Sequence, residues 1–236
     1  MADENLFLRY LSAADRALIE PRLRRVSLRV NELIAEDAGE VRAAFLPIDC
    51  ILSVITVMRD GREVESRTIG RESGYGLLHA LGSPYSYERV EVQISGEAWT
   101  LPLASLSELA TASPSGLNTI VRFAQATIVQ SATALACNSL HAVDQRLARW
   151  LLLTQDRLSS DVLPLTQEHL SIMLAVQRTT VTAAAAKLQD IGLIRYSRGK
   201  IQVLDRAGLL KTSCECYEQI ETGVGRLIGV QPHALA

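Results

Sequence analysis

Residues 165–204, LTQEHLSIMLAVQRTTVTAAAAKLQDIGLIRYSRGKIQVL, decide how the chain folds. Thr166 is suited to an N-cap, because its hydroxyl can accept from the free N–H groups of the following turn. Leu170, Met173 and Leu174 then share one helical face. After a break near Ala175 and Val176, a second helix is expected from Gln177 or Arg178. Its inner face reads Val181, Ala184, Ala185, Leu188 and Ile191, at spacings of three and four. Gly192 should stop it. Two strand-like runs follow, 193–196 and 200–204, turned by Ser197-Arg198-Gly199. Helix, turn, helix and small hairpin is the plan of a winged helix-turn-helix, whose second helix enters a DNA major groove with its first residues against base edges.

The side chains at those positions suit the task. Arg178 can fork onto guanine, Gln177 can pair with adenine, and Thr179 offers a methyl to thymine. Thr180, Thr182, Lys187, Arg198 and Lys200 are expected on the phosphate backbone. From Arg178 to Lys200 there are five basic residues and one acidic residue, Asp190. A helical protein-interaction module with a solvated basic face would show the same pattern, so the stretch is a fold signature more than a chemical one.

The 236 residues suffice for two modest cores, and 48% apolar with 21% charged residues describes an ordinary globular protein. Residues 1–140 hold 13 basic and 17 acidic side chains, whereas residues 141–236 hold 11 and 9. The basic excess therefore sits with the motif. No run approaches the ~18 apolar residues of a bilayer span, the start does not read as a secretory signal, and no membrane partner is expected. Cys50, Cys137, Cys214 and Cys216 are too few for a disulfide framework, which fits a reducing, cytoplasmic setting. Cys214-Glu-Cys216 could be a thiol pair or half a metal site, but no partner ligands stand at zinc-finger spacing, so no metal is expected. No Ser-His-Asp set or phosphate loop stands out, and an enzyme is not expected.

Upstream, residues 3–20 read as an amphipathic helix ended by Pro21. Alternation from Val26, a β-branched run at 51–58, the Asp60-Gly61 turn, and further runs at 90–94 and 98–101 read as strands of a sandwich or jelly roll. Leu77 to Leu81 reads as one helical turn. After Ser113-Pro114-Ser115-Gly116 a long helix is expected over 117–139. Its seam, Leu117, Val121, Ala124, Ile128, Ser131, Leu135 and Asn138, has heptad spacing, so two copies should pair along it in parallel; the alternative is a single long helix packed on its own domain. A further helix over 141–158 would carry the winged motif, with Val143, Leu147, Trp150, Leu151 and Leu158 inward. A short helix over 205–223 would precede a loose tail. The fold class is thus α+β: an N-terminal jelly-roll-like β-roll (1–113), a dimerisation helix (114–140) and a C-terminal winged helix-turn-helix (141–236).

This order resembles the CRP/FNR superfamily of bacterial transcription regulators, over nearly the whole chain. The likeness is sharpest at RLARWLL (146–152) and at residues 165–203, where Arg178-Thr179-Thr180-Val181 is similar to the family's R-x-T-V core. The resemblance implies a cytoplasmic homodimer that binds double-stranded DNA, works with RNA polymerase and is open to a small-molecule effector. Two departures matter. The cAMP-responsive members follow the arginine with Glu and place a second Arg one turn later; here those positions hold Thr179 and Ala183. Their nucleotide cassette, a Gly-Glu pair and later Arg-Ser or Arg-Thr, is here Gly76-Leu77-Leu78 and Tyr87-Glu88-Arg89-Val90. The ribose carboxylate is missing and Glu88 would oppose an anion, so cAMP is not expected. An iron–sulfur cluster lacks its N-terminal cysteines, and the lone His79 does not carry a haem expectation. The effector pocket, if used, should involve Tyr75, Gly76, Leu77, Leu78, Tyr87 and Arg89, with Tyr85 nearby. The rival reading is a small-molecule or protein-binding regulatory module without specific DNA binding.

Overall fold

Asn5 is the first residue described by the computed structural model, which covers residues 5–197 and 199–229. The expected single N-terminal helix is two, α1 (Leu6–Tyr10) and α2 (Ala13–Ile19). Ser12 separates them: its backbone is extended and its side chain accepts from the Asp15 N–H, so it restarts the helix as a cap. Seven strands follow: β1 (Arg24–Leu28), β2 (Leu33–Ala35), β3 (Ala43–Pro47), β4 (Ile51–Val57), β5 (Glu63–Ile69), β6 (Arg89–Ile94) and β7 (Gly96–Pro102). They form two antiparallel sheets, ordered β1-β7-β3 and β2-β6-β4-β5, closed over Leu52, Val54, Val90, Val92 and Tyr75. The Asp60-Gly61 turn joins β4 to β5, with Gly61 at φ 82°. The run beginning at Val26 is two strands rather than one, broken at Asn31 (φ 65°). The strand β3 had no clear sequence pattern.

The helical half begins with α3 (Leu103–Ala112), also not anticipated. Next comes α4 (Pro114–Leu140), in which Ser113 is the cap, accepting from the Gly116 N–H, and Pro114 takes the first helical position. The Ser-Pro-Ser-Gly stretch is therefore a helix start, and α4 is longer than its expected 117–139. Among the described residues, α4 alone is long and apolar enough to cross a membrane by length and composition, which corrects the expectation that no segment would be; a third of that window is buried within the protein.

The C-terminal part runs α5 (Val143–Leu158), β8 (Val162–Leu163), α6 (Gln167–Leu174), α7 (Arg178–Asp190), β9 (Ile194–Ser197), β10 (Lys200–Val203), α8 (Arg206–Thr212) and α9 (Cys216–Ile228). The motif is built as its sequence dictates. Thr166 caps α6, Ala175 takes a left-handed conformation (φ 50°) to make the turn, and Gly192 (φ 76°) releases the chain from α7 into the wing. Leu147, Trp150 and Leu151 of α5 carry this module on a core of Leu170, Leu174, Val181 and Leu188. Ile191 is a correction: it is 63% exposed, because α7 has already ended and the backbone no longer follows the helical face. The wing gains a third strand, β8, which pairs with β10. The expected final helix is two, and the second continues to Ile228, where the sequence reading had placed a loose tail.

Polar contacts join the halves. Trp150 Nε1 on α5 donates to Glu65 Oε1 on β5 (3.3 Å), and Arg157 pairs with buried Glu72 (2.8 Å). Glu65 also accepts from Ser53 and Gln93. Burial, opposed by these bonds, pushes its carboxyl up to about 7.

Candidate nucleic-acid interface and effector pocket

The outer face of α7 is polar for a geometric reason: Val181, Ala184, Ala185 and Leu188 take up the inner positions, so the residues between them point to solvent. Gln177, Arg178, Thr179, Thr180, Thr182 and Lys187 are all exposed, as is Lys200 on the wing. Gln177 is the N-cap of α7 but makes no side-chain capping bond, which leaves its amide free. The Arg178 guanidinium meets Glu168 Oε1 of α6 at 3.0 Å, with both side chains more than 60% exposed. Lys187 Nζ lies 3.6 Å from Asp144 Oδ2. Such exposed pairs are worth at most about 1 kcal/mol and exchange readily for a phosphate or a guanine edge. Thr182 accepts from Gln167 Nε2 and donates to the Arg178 carbonyl one turn back, which ties α7 to α6. Gly199 (φ 75°) turns the wing; Arg198, beside it, lies outside the described residues. A cleft of about 800 Å³ runs between the β4–β5 hairpin and the helix-turn-helix, with Gln177 on its edge and Arg178 outside it.

The β-roll holds a second candidate, a cavity of about 370 Å³ lined by Tyr75, Gly76, Leu77, Leu78, Tyr85 and Tyr87, together with Arg67, His79 and Glu88. Gly76 forms a wall that no side chain could: its φ is 95°, and an added Cβ would stand 2.8 Å from the Ala44 backbone. Tyr75 is buried and donates to Ser86, while Tyr87 is open to solvent at the rim. Burial holds His79 below the usual imidazole value. Thr127 of α4 completes the lining, so the cavity touches the long helix directly.

Arg89 is not where the sequence reading put it. It forks onto Glu63 with two 2.7 Å bonds and does not line the cavity. The guanidinium in the cavity is that of Arg67, on β5, and it is committed to Glu88 through bonds of 2.6 and 2.8 Å. Sequence order could not give this, since the pairing depends on which strands flank β4.

The expected seam of α4 is open at some positions and engaged within the chain at others. Ile128 and Leu135 are exposed, the latter at 71%, and Leu117 is half-open. Ala124, however, is buried against the chain's own core, and Asn138 accepts from Arg146 Nη1 (3.0 Å). The open apolar stripe thus runs through Leu117, Ile128 and Leu135, on one face of the helix. The helix α9 packs against another part of α4.

Cys214 and Cys216, which the linear spacing left without partners, lie against Cys137 and His141 at the end of α4.

Residues 145–212 match the family model of the Crp-like helix-turn-helix domain. No curated protein matches the chain. Solved structures do match its fold. FixK2 from Bradyrhizobium japonicum superposes with a TM-score of 0.71 at 16% identity, over 81% of this chain and 98% of that one. A CRP-family transcriptional regulator from Thermus thermophilus gives 0.65 at 19% identity, over 80% and 96%. The c-di-GMP-responsive global regulator CLP from Xanthomonas campestris gives 0.67 at 14% identity, over 82% and 100%. Residues 145–212 are a Crp-like helix-turn-helix domain, and over about four-fifths of its length the chain shares the fold of these regulators.

Proposed function

We propose that this chain, of CRP/FNR type in its C-terminal domain and fold, is a homodimeric, sequence-specific DNA-binding transcription regulator. The observation that carries the reading is the first turn of α7, where Gln177, Arg178, Thr179 and Thr180 are exposed together and Arg178 is held only by an exchangeable surface pair. Arg178 reads a guanine, with Gln177 and Thr179 beside it; Thr180, Thr182, Lys187 and Lys200 hold phosphates, and Arg198 is assigned the same role from sequence alone. Two copies meet along the open stripe of α4, which sets two recognition helices about one duplex turn, ~34 Å, apart.

Control would come through the β-roll. Its cavity contacts α4 at Thr127, so an occupant that alters the dimer contact would shift the recognition helices relative to the operator. With the Arg67 fork already engaged by Glu88, a cyclic phosphate finds no free guanidinium there, and a neutral, partly aromatic effector fits the lining better than cAMP. Neither haem nor an iron–sulfur cluster is part of this proposal. Work in the cytoplasm beside RNA polymerase belongs to the same reading.

An electrophoretic shift titration on genomic fragments at rising salt tests it. The wild-type protein should retain a subset of fragments at salt that releases the rest. Uniform release of all fragments would favour a regulatory module without specific DNA binding.

A further inference from the structure

At the point where α4 gives way to α5, four side chains from two distant segments converge. Cys137 and His141 belong to the last turn of α4 and its cap; Cys214 and Cys216 bracket the turn between α8 and α9. One ligand atom from each lies within 4.8 Å of the other three. Cys137 Sγ and Cys214 Sγ are 3.5 Å apart, and Cys216 Sγ is 3.6 Å from His141 Nδ1.

We propose that Cys137, His141, Cys214 and Cys216 form a closed Cys3His site for one zinc ion, which pins the end of α4 to the α8–α9 turn. Tetrahedral zinc with bonds of ~2.3 Å to sulfur and ~2.0 Å to nitrogen holds its ligand atoms about 3.6–3.8 Å apart, close to the spacing here. A four-iron cluster spreads its thiolates far wider than 4.8 Å and does not fit.

Three features around the four ligands support a metal over a chance gathering of thiols. First, His141 Nε2 faces Glu215 Oε2 at 3.2 Å. A carboxylate on that nitrogen fixes the proton there and leaves Nδ1, the atom facing Cys216, with its lone pair free; metal-binding histidines are held in this way. Second, three thiolates around a divalent ion carry a net charge of −1, and the buried Arg149 answers it. Its Nε has no hydrogen-bond partner, which leaves part of that buried charge to be matched. Third, the three cysteines are buried as a cluster of their own. Four protein ligands leave no open position, so the site is structural rather than catalytic. It lies at the joint between the long helix and the winged domain, where a staple would fix the angle between them. This consequence for DNA binding rests on the function proposed above; the metal site itself does not.

The test is made on the full-length protein purified under reducing conditions. Elemental analysis should find one zinc per chain, and replacement by cobalt should give the visible bands of tetrahedral Co(II) with a thiolate-to-cobalt charge-transfer band. Cys214→Ser should raise the zinc dissociation constant at least a hundredfold, and Glu215→Gln about tenfold, as loss of a supporting partner does. Cys50→Ala, in the β-roll core, should leave the zinc content unchanged. Protein that stays metal-free after zinc is added in reductant, or that binds cobalt without the charge-transfer band, overturns the site. So does a zinc dissociation constant left unchanged by Cys214→Ser. Because these readouts need no DNA, they stand or fall separately from the operator-binding assay.

Discussion

Two arginines show how differently the halves of this protein use the same side chain. Arg178, on α7, is 61% exposed and touches Glu168 through a single 3.0 Å contact. Arg67, in the β-roll, is 9% exposed and grips Glu88 through two bonds. The first pair is solvated, and either partner can leave it at little cost. The second is desolvated, so removing one member strands the other charge. The recognition face is thus available to an incoming polyanion, while the pocket has its cation already matched. On the function proposed above, the one region meets a partner and the other holds its own charges still.

The sharpest way to break that contrast is Arg67→Ala. It should cost about 2–4 kcal/mol of stability, somewhat less than a fully buried pair because Glu88 keeps some access to solvent; denaturant unfolding measures it. If the loss is under about 1 kcal/mol, the pocket pair is no more committed than the surface one. Next comes Arg178→Ala, expected to cost about 1–3 kcal/mol of discrimination at one base position while folding stability and weak binding to random DNA persist. Equal loss on operator and random sequence would reassign Arg178 to the backbone.

Glu65 extends the comparison to pH. Its folded carboxyl is raised to about 7, above its ordinary range. Between that range and about 7 the folded chain keeps a proton that the unfolded chain has released. The Glu65 contribution is therefore most favourable at the acid end, falls as pH rises through this window, and is flat above it. Glu221, also raised to about 7 by burial, adds a term of the same sign. Glu65→Gln should flatten, without abolishing, the fall in stability between pH 4.5 and 7, the lower bound being the ordinary value of a glutamate; an unchanged slope would show that Glu65 is not desolvated at the β5–α5 junction. The smallest effect is expected from Glu168→Gln, under about 0.5 kcal/mol in stability, with operator affinity unchanged or slightly tighter because Arg178 is released.

How much could be read from the chain follows from where the information lies. The winged motif was legible because its determinants are local: a capping Thr166, apolar spacing along α6 and α7, and Gly192 and Gly199 where the backbone turns left-handed. The dimer seam was legible only in part. Heptad spacing included Ala124 and Asn138, but the first is buried within the chain and the second accepts from Arg146. Ile191 continued the pattern on paper after the helix had ended. The pocket cation was misassigned to Arg89 because strand adjacency, not sequence order, brings Arg67 to Glu88. The cysteine cluster was invisible for the same reason: its two ligand pairs stand 77 residues apart and meet only when α9 folds back along α4.

The central claim is that two copies present their α7 tips to adjacent grooves of one duplex. Sequencing the DNA selected from a random pool by the purified protein tests it most directly. The account predicts an inverted repeat with half-site centres about 10 base pairs apart, and loss of preference at one guanine per half-site with Arg178→Ala. Enrichment of no sequence, or of a single unrepeated site unaffected by that substitution, would contradict it.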